Sequence, residues 1–222
     1  AEAEAFRRRL AAPVHVLSHP AEPRQDAPGF EARHGFLFVG RLLEQTAPNW
    51  QGLSWFLREA WPWIRRQLPD AKLAVVGHLS PAHEELAAPG VRLIGPAEDL
   101  RAHYDAARVF IAPIRFGAGI PIKVLEATAA GLPTAGTRLM ARQLNWAPGA
   151  DMAAEDRPDA FAKAAVALHQ DETVWLSTRR AATERLRREH GPEGFARGLR
   201  RLLEGAAGSD ATGFRGTGTS AI

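Results

Sequence analysis

Short apolar runs that end on glycine, alternating with stretches of helical periodicity, limit the fold of this chain more than any other feature. Gly35-Phe-Leu-Phe-Val-Gly40, Ala71-Lys-Leu-Ala-Val-Val-Gly77 and Val91-Arg-Leu-Ile-Gly95 are such runs, and Arg108-Val-Phe-Ile-Ala-Pro-Ile114 is a fourth without the closing glycine. Runs this short and this apolar read as strands buried on both faces. Pro133–Thr137 and Ala150–Ala154 are candidates for a fifth and a sixth. Between them Leu53, Phe56, Leu57, Trp61, Ile64 and Leu68 recur at helical spacing, so the sequence predicts a helix over 50–68, kinked or split at Pro62. A short helix is expected over 99–107. Three more close the chain over 158–169, 172–189 and 192–204, burying Phe161, Ala165 and Leu168, then Trp175 and Leu186, then Phe195, Leu199 and Leu202. This alternation predicts an α/β protein: a parallel sheet with helices on both faces. In such sheets ligands bind beyond the carboxyl ends of the strands, here the loops after Gly40, Gly77, Gly95 and Ile114.

Composition narrows the chemistry. The 222 residues include no cysteine, which excludes disulfides, thiol catalysis and cysteine metal sites. No apolar run approaches the length that crosses a bilayer. The Ala-Glu-Ala-Glu-Ala start is unlike a signal peptide, so a cytoplasmic location is the expectation. The net charge is +3, with 25 arginines against 3 lysines. Arginine pairs at 65–66, 179–180, 187–188 and 200–201 and a triplet at 7–9 suit either a basic surface or solvated helix faces; the interleaved acids favour solvated faces.

The most informative segment is Pro113-Ile-Arg-Phe-Gly-Ala-Gly-Ile-Pro-Ile-Lys-Val-Leu-Glu-Ala-Thr-Ala-Ala-Gly-Leu-Pro133. A helix starting near Ile120 puts Lys123 and Glu126 on one face. The turn Gly117-Ala118-Gly119 leaves backbone N–H groups at its start, where an anion is welcome. A phosphate-bearing ligand with a sugar hydroxyl uses all of these groups together. Arg41 follows the first strand at the ligand edge, where it either grips a diphosphate or pairs with Glu44. Arg115 reaches phosphate or satisfies nearby carboxylates. His78, directly after the second strand, either faces the ligand or packs locally. Other chemistries find no pattern. The loop after the first strand has one glycine, not the dinucleotide-binding triplet, and no GxxxxGK[ST] loop exists. Gly52-Leu-Ser-Trp-Phe56 fails as a nucleophile elbow, and the eight histidines show no metal spacing. No metal site and no cofactor are expected.

Residues 115–133 resemble the donor-site motif of the group 1 glycosyltransferases, family 4, retaining enzymes with the GT-B fold of two Rossmann-like domains. Phe36–Arg41 with Pro48-Asn-Trp50, Leu68–Gly77, and Gly90–Gly95 with Asp99-Leu100 resemble the family's first, second and third strands and their surroundings. The resemblance covers 35–204. It implies a Rossmann-like nucleotide-sugar-binding domain over 35–204, the C-terminal half of a GT-B fold. Residues 1–34 are then the end of an N-terminal domain plus the interdomain hinge, with a short strand over Val14–Leu17, and 205–222 a disordered tail. It further implies that Glu126 holds the ribose hydroxyls, and that Arg41, Lys123 and the Gly117–Gly119 amides lie near the diphosphate. The loop at Gly95 cradles the base, and Gly40 and His78 border the cleft. The family's first signature glutamate falls at Ala118, as in the branch with Gly-Ala-Gly there, and its strand-one lysine is replaced within Gln45–Ala47. The implied partners are a nucleotide-diphosphate sugar as donor substrate and a glycan or lipid-linked acceptor bound by the N-terminal domain. Nucleic acid is not a partner, and the lipid-linked case places the protein peripherally at the inner face of the membrane. A non-catalytic nucleotide-sugar-binding or interaction module, and a sugar-nucleotide epimerase, are the rival readings.

Overall fold

A computed structural model describes residues 6–10, 14, 17 and 19–210, with side chains to 204. Six strands form one sheet: β1 Phe36–Val39, β2 Leu73–Val76, β3 Val91–Gly95, β4 Val109–Ala112, β5 Thr134–Gly136 and β6 Ala153–Ala154. Every neighbouring pair is parallel, in the order β3-β2-β1-β4-β5-β6. Phe36 lies opposite Leu73 on one side and Val109 on the other, so β1 is central and the strand order reverses between β1 and β4. That reversal opens a crevice above the carboxyl ends of β1 and β4.

The period of two along β1 builds a core on each face. Phe36 and Phe38 pack with Leu53, Phe56, Trp61 and Ile64 on one side. Leu37 and Val39 pack with Val124, Leu125, Trp146 and Leu186 on the other. The predicted helix over 50–68 is α1 Pro48–Trp55, a π-helical stretch Phe56–Ala60 and α2 Trp61–Gln67. Pro62 would drive its ring into the carbonyl four residues back in a regular helix. Here the Trp61 N–H bonds Phe56 O, five residues back, and the widened turn makes room. Trp55, Phe56, Trp61 and Ile64 therefore all stay buried instead of parting at a kink.

The other helices are α3 Arg101–Ala106, α4 Ile122–Ala129, α5 Arg138–Leu144, α6 Pro158–Gln170, α7 Glu172–His190 and α8 Pro192–Asp210, with a 3-10 turn at Pro81–Leu86. Five expectations are corrected. α3 starts two residues late: the Asp99 carboxylate accepts the Arg101 N–H at 2.7 Å and holds 99–100 in a turn ahead of the helix. α4 starts at Ile122, because Gly119 has φ +93° and the Ile122 N–H turns back to Ile120 O at 2.8 Å. The expected tail from 205 continues α8 to Asp210, and 211–222 lie outside the described residues. On α8, Phe195 and Leu202 are half-buried and Leu199 is exposed. Val14 and Leu17 belong to no strand, while His15 and Val16 fall outside the described residues. Phe6 and Arg7 are helical.

Residues 19–34 are tied to the sheet domain. The Ala21 N–H donates to His190 O, Arg24 N–H to Ala129 O and His34 N–H to Ala106 O. Arg33, fully buried, donates to the carbonyls of Pro28, Tyr104, Ala107 and Ala130. It thereby closes the carboxyl ends of α3 and α4, where a cation is favourable. Among the described residues no helix is long and apolar enough to cross a membrane. None of their His, Asp and Glu side chains group into a metal site.

Candidate functional site

The loops after β1 and β2 leave the sheet together. Gly40 N–H donates to Val76 O, and Gly77 N–H to Gly95 O at 2.8 Å. One step further Leu42 N–H donates to His78 O and Ser80 N–H to Leu42 O. These bonds extend the parallel pairing past the strands and raise Arg41 and His78 at the rim, both exposed. The Arg41 guanidinium and the His78 ring have no partner among the described residues, so the alternative pairing of Arg41 with Glu44 is not formed. Asn49, at the start of α1, donates its amide to Arg41 O at 3.2 Å and fixes that loop.

The glycine turn is held from both sides. The Thr137 hydroxyl donates to Ile114 O, and the Gln143 amide of α5 donates to Gly117 O at 2.9 Å. Gly117 and Gly119 have φ of +126° and +93°, which favour glycine. Gly52 lets α1 lie on the Pro113 carbonyl, which a Cβ would approach to 2.6 Å. The N–H groups of Gly117, Ala118 and Gly119 donate to no other described residue, and all three residues are exposed. Because α4 begins only at Ile122, these amides form a turn ahead of the helix and are not its first-turn amides. Between the flanks of the turn, Ile114 and Ile120, and the sheet, a cavity of about 230 Å³ is bounded also by Phe38, Asn49, Lys123 and Met140. A larger groove, about 960 Å³, runs past Gly35, Lys72, Gly90, His103 and His169. It lies at the amino ends of the strands and touches none of the predicted site residues.

Lys123 and Glu126 meet as the spacing predicts: Lys123 Nζ donates to Glu126 Oε2 at 2.8 Å, with both side chains partly exposed. A second donor reaches the same oxygen, the Tyr104 hydroxyl at 3.0 Å. Tyr104 is buried on α3. Burial, followed by the Glu126 charge, pushes its phenol well above the ordinary range, so it stays a donor. Arg115 pairs with no carboxylate; its guanidinium stacks over the Trp55 ring, 4.9 Å from the centroid. The structure thus lines Gly40, Arg41, His78, Gly95, Arg115, Gly117, Ala118, Gly119, Lys123 and Glu126 along the carboxyl edge of β1–β4. Asn49, Tyr104 and Gln143 join them without having been predicted. Tyr104 carries the best signal of the three: it is the single aromatic in the otherwise small and charged helix Arg-Ala-His-Tyr-Asp-Ala106, and an aromatic there marks the inward side.

A six-stranded parallel sheet of this order, with an anion-receptive turn at its switch point, defines a Rossmann-like α/β domain. Residues 33–171 match the family described as glycosyl transferases group 1, more than half of the chain, and the chain belongs to that family. It is 37% identical over 101 residues to an uncharacterized 44.6 kDa protein in the cps region of Klebsiella pneumoniae, covering 41% of this chain and 26% of that one. Its fold is similar to Staphylococcus aureus TarM, whose G117R mutant was crystallised with fondaparinux, α-GlcNAc-glycerol and UDP. The TM-score is 0.73 at 10% identity, covering 91% of this chain and 42% of TarM. It also resembles the C-terminal domain of the group 1 glycosyl transferase LpcC from Francisella tularensis. That TM-score is 0.58 at 16% identity, covering 78% of this chain and 96% of that domain. The chain therefore spans about a quarter of the Klebsiella protein, less than half of TarM and nearly all of the LpcC domain.

Proposed function

We propose that this domain binds the nucleotide-diphosphate sugar of a retaining glycosyltransferase, a hexosyltransferase acting in polysaccharide biosynthesis. The observation that carries this reading is Glu126, held by two donors beside a turn whose three amides are free. A carboxylate accepts a ribose diol, and convergent N–H groups accept phosphate oxygens. Glu126 then holds the ribose, while the turn amides, Arg41, Lys123 and Arg115 face the diphosphate. Gly95 and its loop face the base, with Gly40 and His78 at the border of the cleft. Breaking the bond between sugar and diphosphate puts negative charge on the leaving oxygens, and preorganised donors lower that barrier. Loss of one such donor typically costs about 3–4 kcal/mol. Glu126 acts by orientation, not by proton transfer. We assign the acceptor, a glycan or lipid-linked glycan, to protein outside this chain, so the isolated domain binds donor without transferring it. The lipid-linked case places the protein in the cytoplasm at the inner face of the membrane.

Calorimetric titration with UDP, GDP and ADP, repeated on Glu126→Ala, tests the reading. Saturable binding of one nucleotide, lost in the variant, is the expected result. Equal affinity of wild type and variant would overturn the assignment of Glu126.

A further inference from the structure

The two donors on Glu126 Oε2 are not equivalent. Lys123 sits one turn earlier on the same helix, with its side chain 44% exposed. An ion pair this open is weak and readily exchanged. Tyr104 comes from a different helix and is 5% exposed. Arg33 ties the carboxyl ends of α3 and α4 together through Tyr104 O, Ala107 O and Ala130 O, so the helices that carry the tyrosine and the glutamate are joined by one buried group. Oε1 of Glu126 accepts no hydrogen bond from any described residue.

From this geometry we infer that Tyr104 is the positioning residue for Glu126, and that Lys123 is its exchangeable partner, released to the anionic part of the ligand on binding. The inference rests on the assignment of Glu126 to the ribose. A diphosphate competes with Glu126 for the three N–H donors of the Lys123 ammonium; as the lysine turns to the phosphate, its hold on the carboxylate weakens. The phenol keeps Oε2 fixed and leaves Oε1 directed to the diol. A glutamate held only by Lys123 would be freed to rotate at the moment of binding.

A double-mutant cycle of Tyr104→Phe and Glu126→Gln in urea unfolding tests the contact without a ligand. The two substitutions should couple, the pair costing less than the sum of the singles, and strictly additive costs would overturn the inference. The second arm titrates UDP, GDP and ADP, each beside its 2′,3′-dideoxy counterpart, into wild type, Tyr104→Phe and Lys123→Ala. The wild type should prefer the diol by about tenfold. Tyr104→Phe should lose most of that preference with the fold intact. Lys123→Ala should bind both forms more weakly with the preference retained. Full preference in Tyr104→Phe, or its loss in Lys123→Ala, sinks the inference while leaving Glu126 on the ribose. A wild type indifferent to the diol sinks the ribose assignment instead, and the double-mutant cycle still decides whether Tyr104 holds Glu126.

Discussion

The carbonyl oxygen of Gly40 lies 1.9 Å from where a Cβ on Gly77 would stand, and Gly77 has φ +146°. The loops after β1 and β2 can run side by side only because residue 77 has no side chain. Gly77→Ala should therefore force the two loops apart and destabilise the domain by roughly 3 kcal/mol or more. Urea unfolding measures this. A midpoint close to wild type would mean that the loops separate without strain.

Arg33 is a buried cation with four carbonyl partners and no carboxylate among them. Burial, and then the neighbouring charge of Arg179, brings its pKa down to about 10, so it is still protonated at neutral pH. Arg33→Met removes the charge but strands carbonyls at the ends of two helices. A loss of at least about 3 kcal/mol is expected. Arg33→Lys should recover little of it, since an ammonium cannot span carbonyls on both helices with a planar fork. Equal stability of Arg33→Lys and wild type would show that charge alone suffices.

His169 makes stability depend on pH. Its Nε2 accepts the Gly35 N–H at 3.2 Å, and its ring stacks on Phe36 at 4.9 Å. Burial first, then Arg108 and His34, hold its pKa down to about 4, against an ordinary 6.5. Between those values the unfolded chain binds more protons than the folded one. Stability from this group is thus complete above about pH 6.5 and lost as pH falls toward 4, by up to about 3 kcal/mol. Unfolding curves across that window should show a shallower slope in His169→Gln than in wild type; parallel slopes would remove His169 as the cause.

What the sequence shows of the fold is what local pattern can carry. Phe36 and Phe38 alternate with Leu37 and Val39, so both faces of β1 read as buried. The glycine turn, Lys123 and Glu126 sit within ten residues of one another, so their grouping was legible without tertiary information. α5 was missed because its seven residues are too few to show a period. Pro62 announced a disruption, yet packing on both sides of it turned the kink into a π-helical stretch. Tyr104, 22 positions from Glu126, and Gln143, 26 from Gly117, act across the fold, and no local spacing links them. Arg33 was invisible for another reason: it is one of 25 arginines, and only the fold shows that it is buried.

Arg115 separates stability from binding. The face of its guanidinium lies on Trp55 while the residue stays exposed, so the N–H edges remain open to a ligand. Stacking of this kind at a surface contributes about 1 kcal/mol at most. Arg115→Ala should therefore unfold within that margin of wild type. If the stacked guanidinium is aimed at the diphosphate, the same variant should bind its nucleotide several-fold more weakly and with a smaller dependence on salt, because one charge contact is gone. Urea unfolding together with calorimetry at two ionic strengths checks both halves. Unchanged affinity at both ionic strengths would leave Arg115 a structural partner of Trp55 and withdraw it from the site.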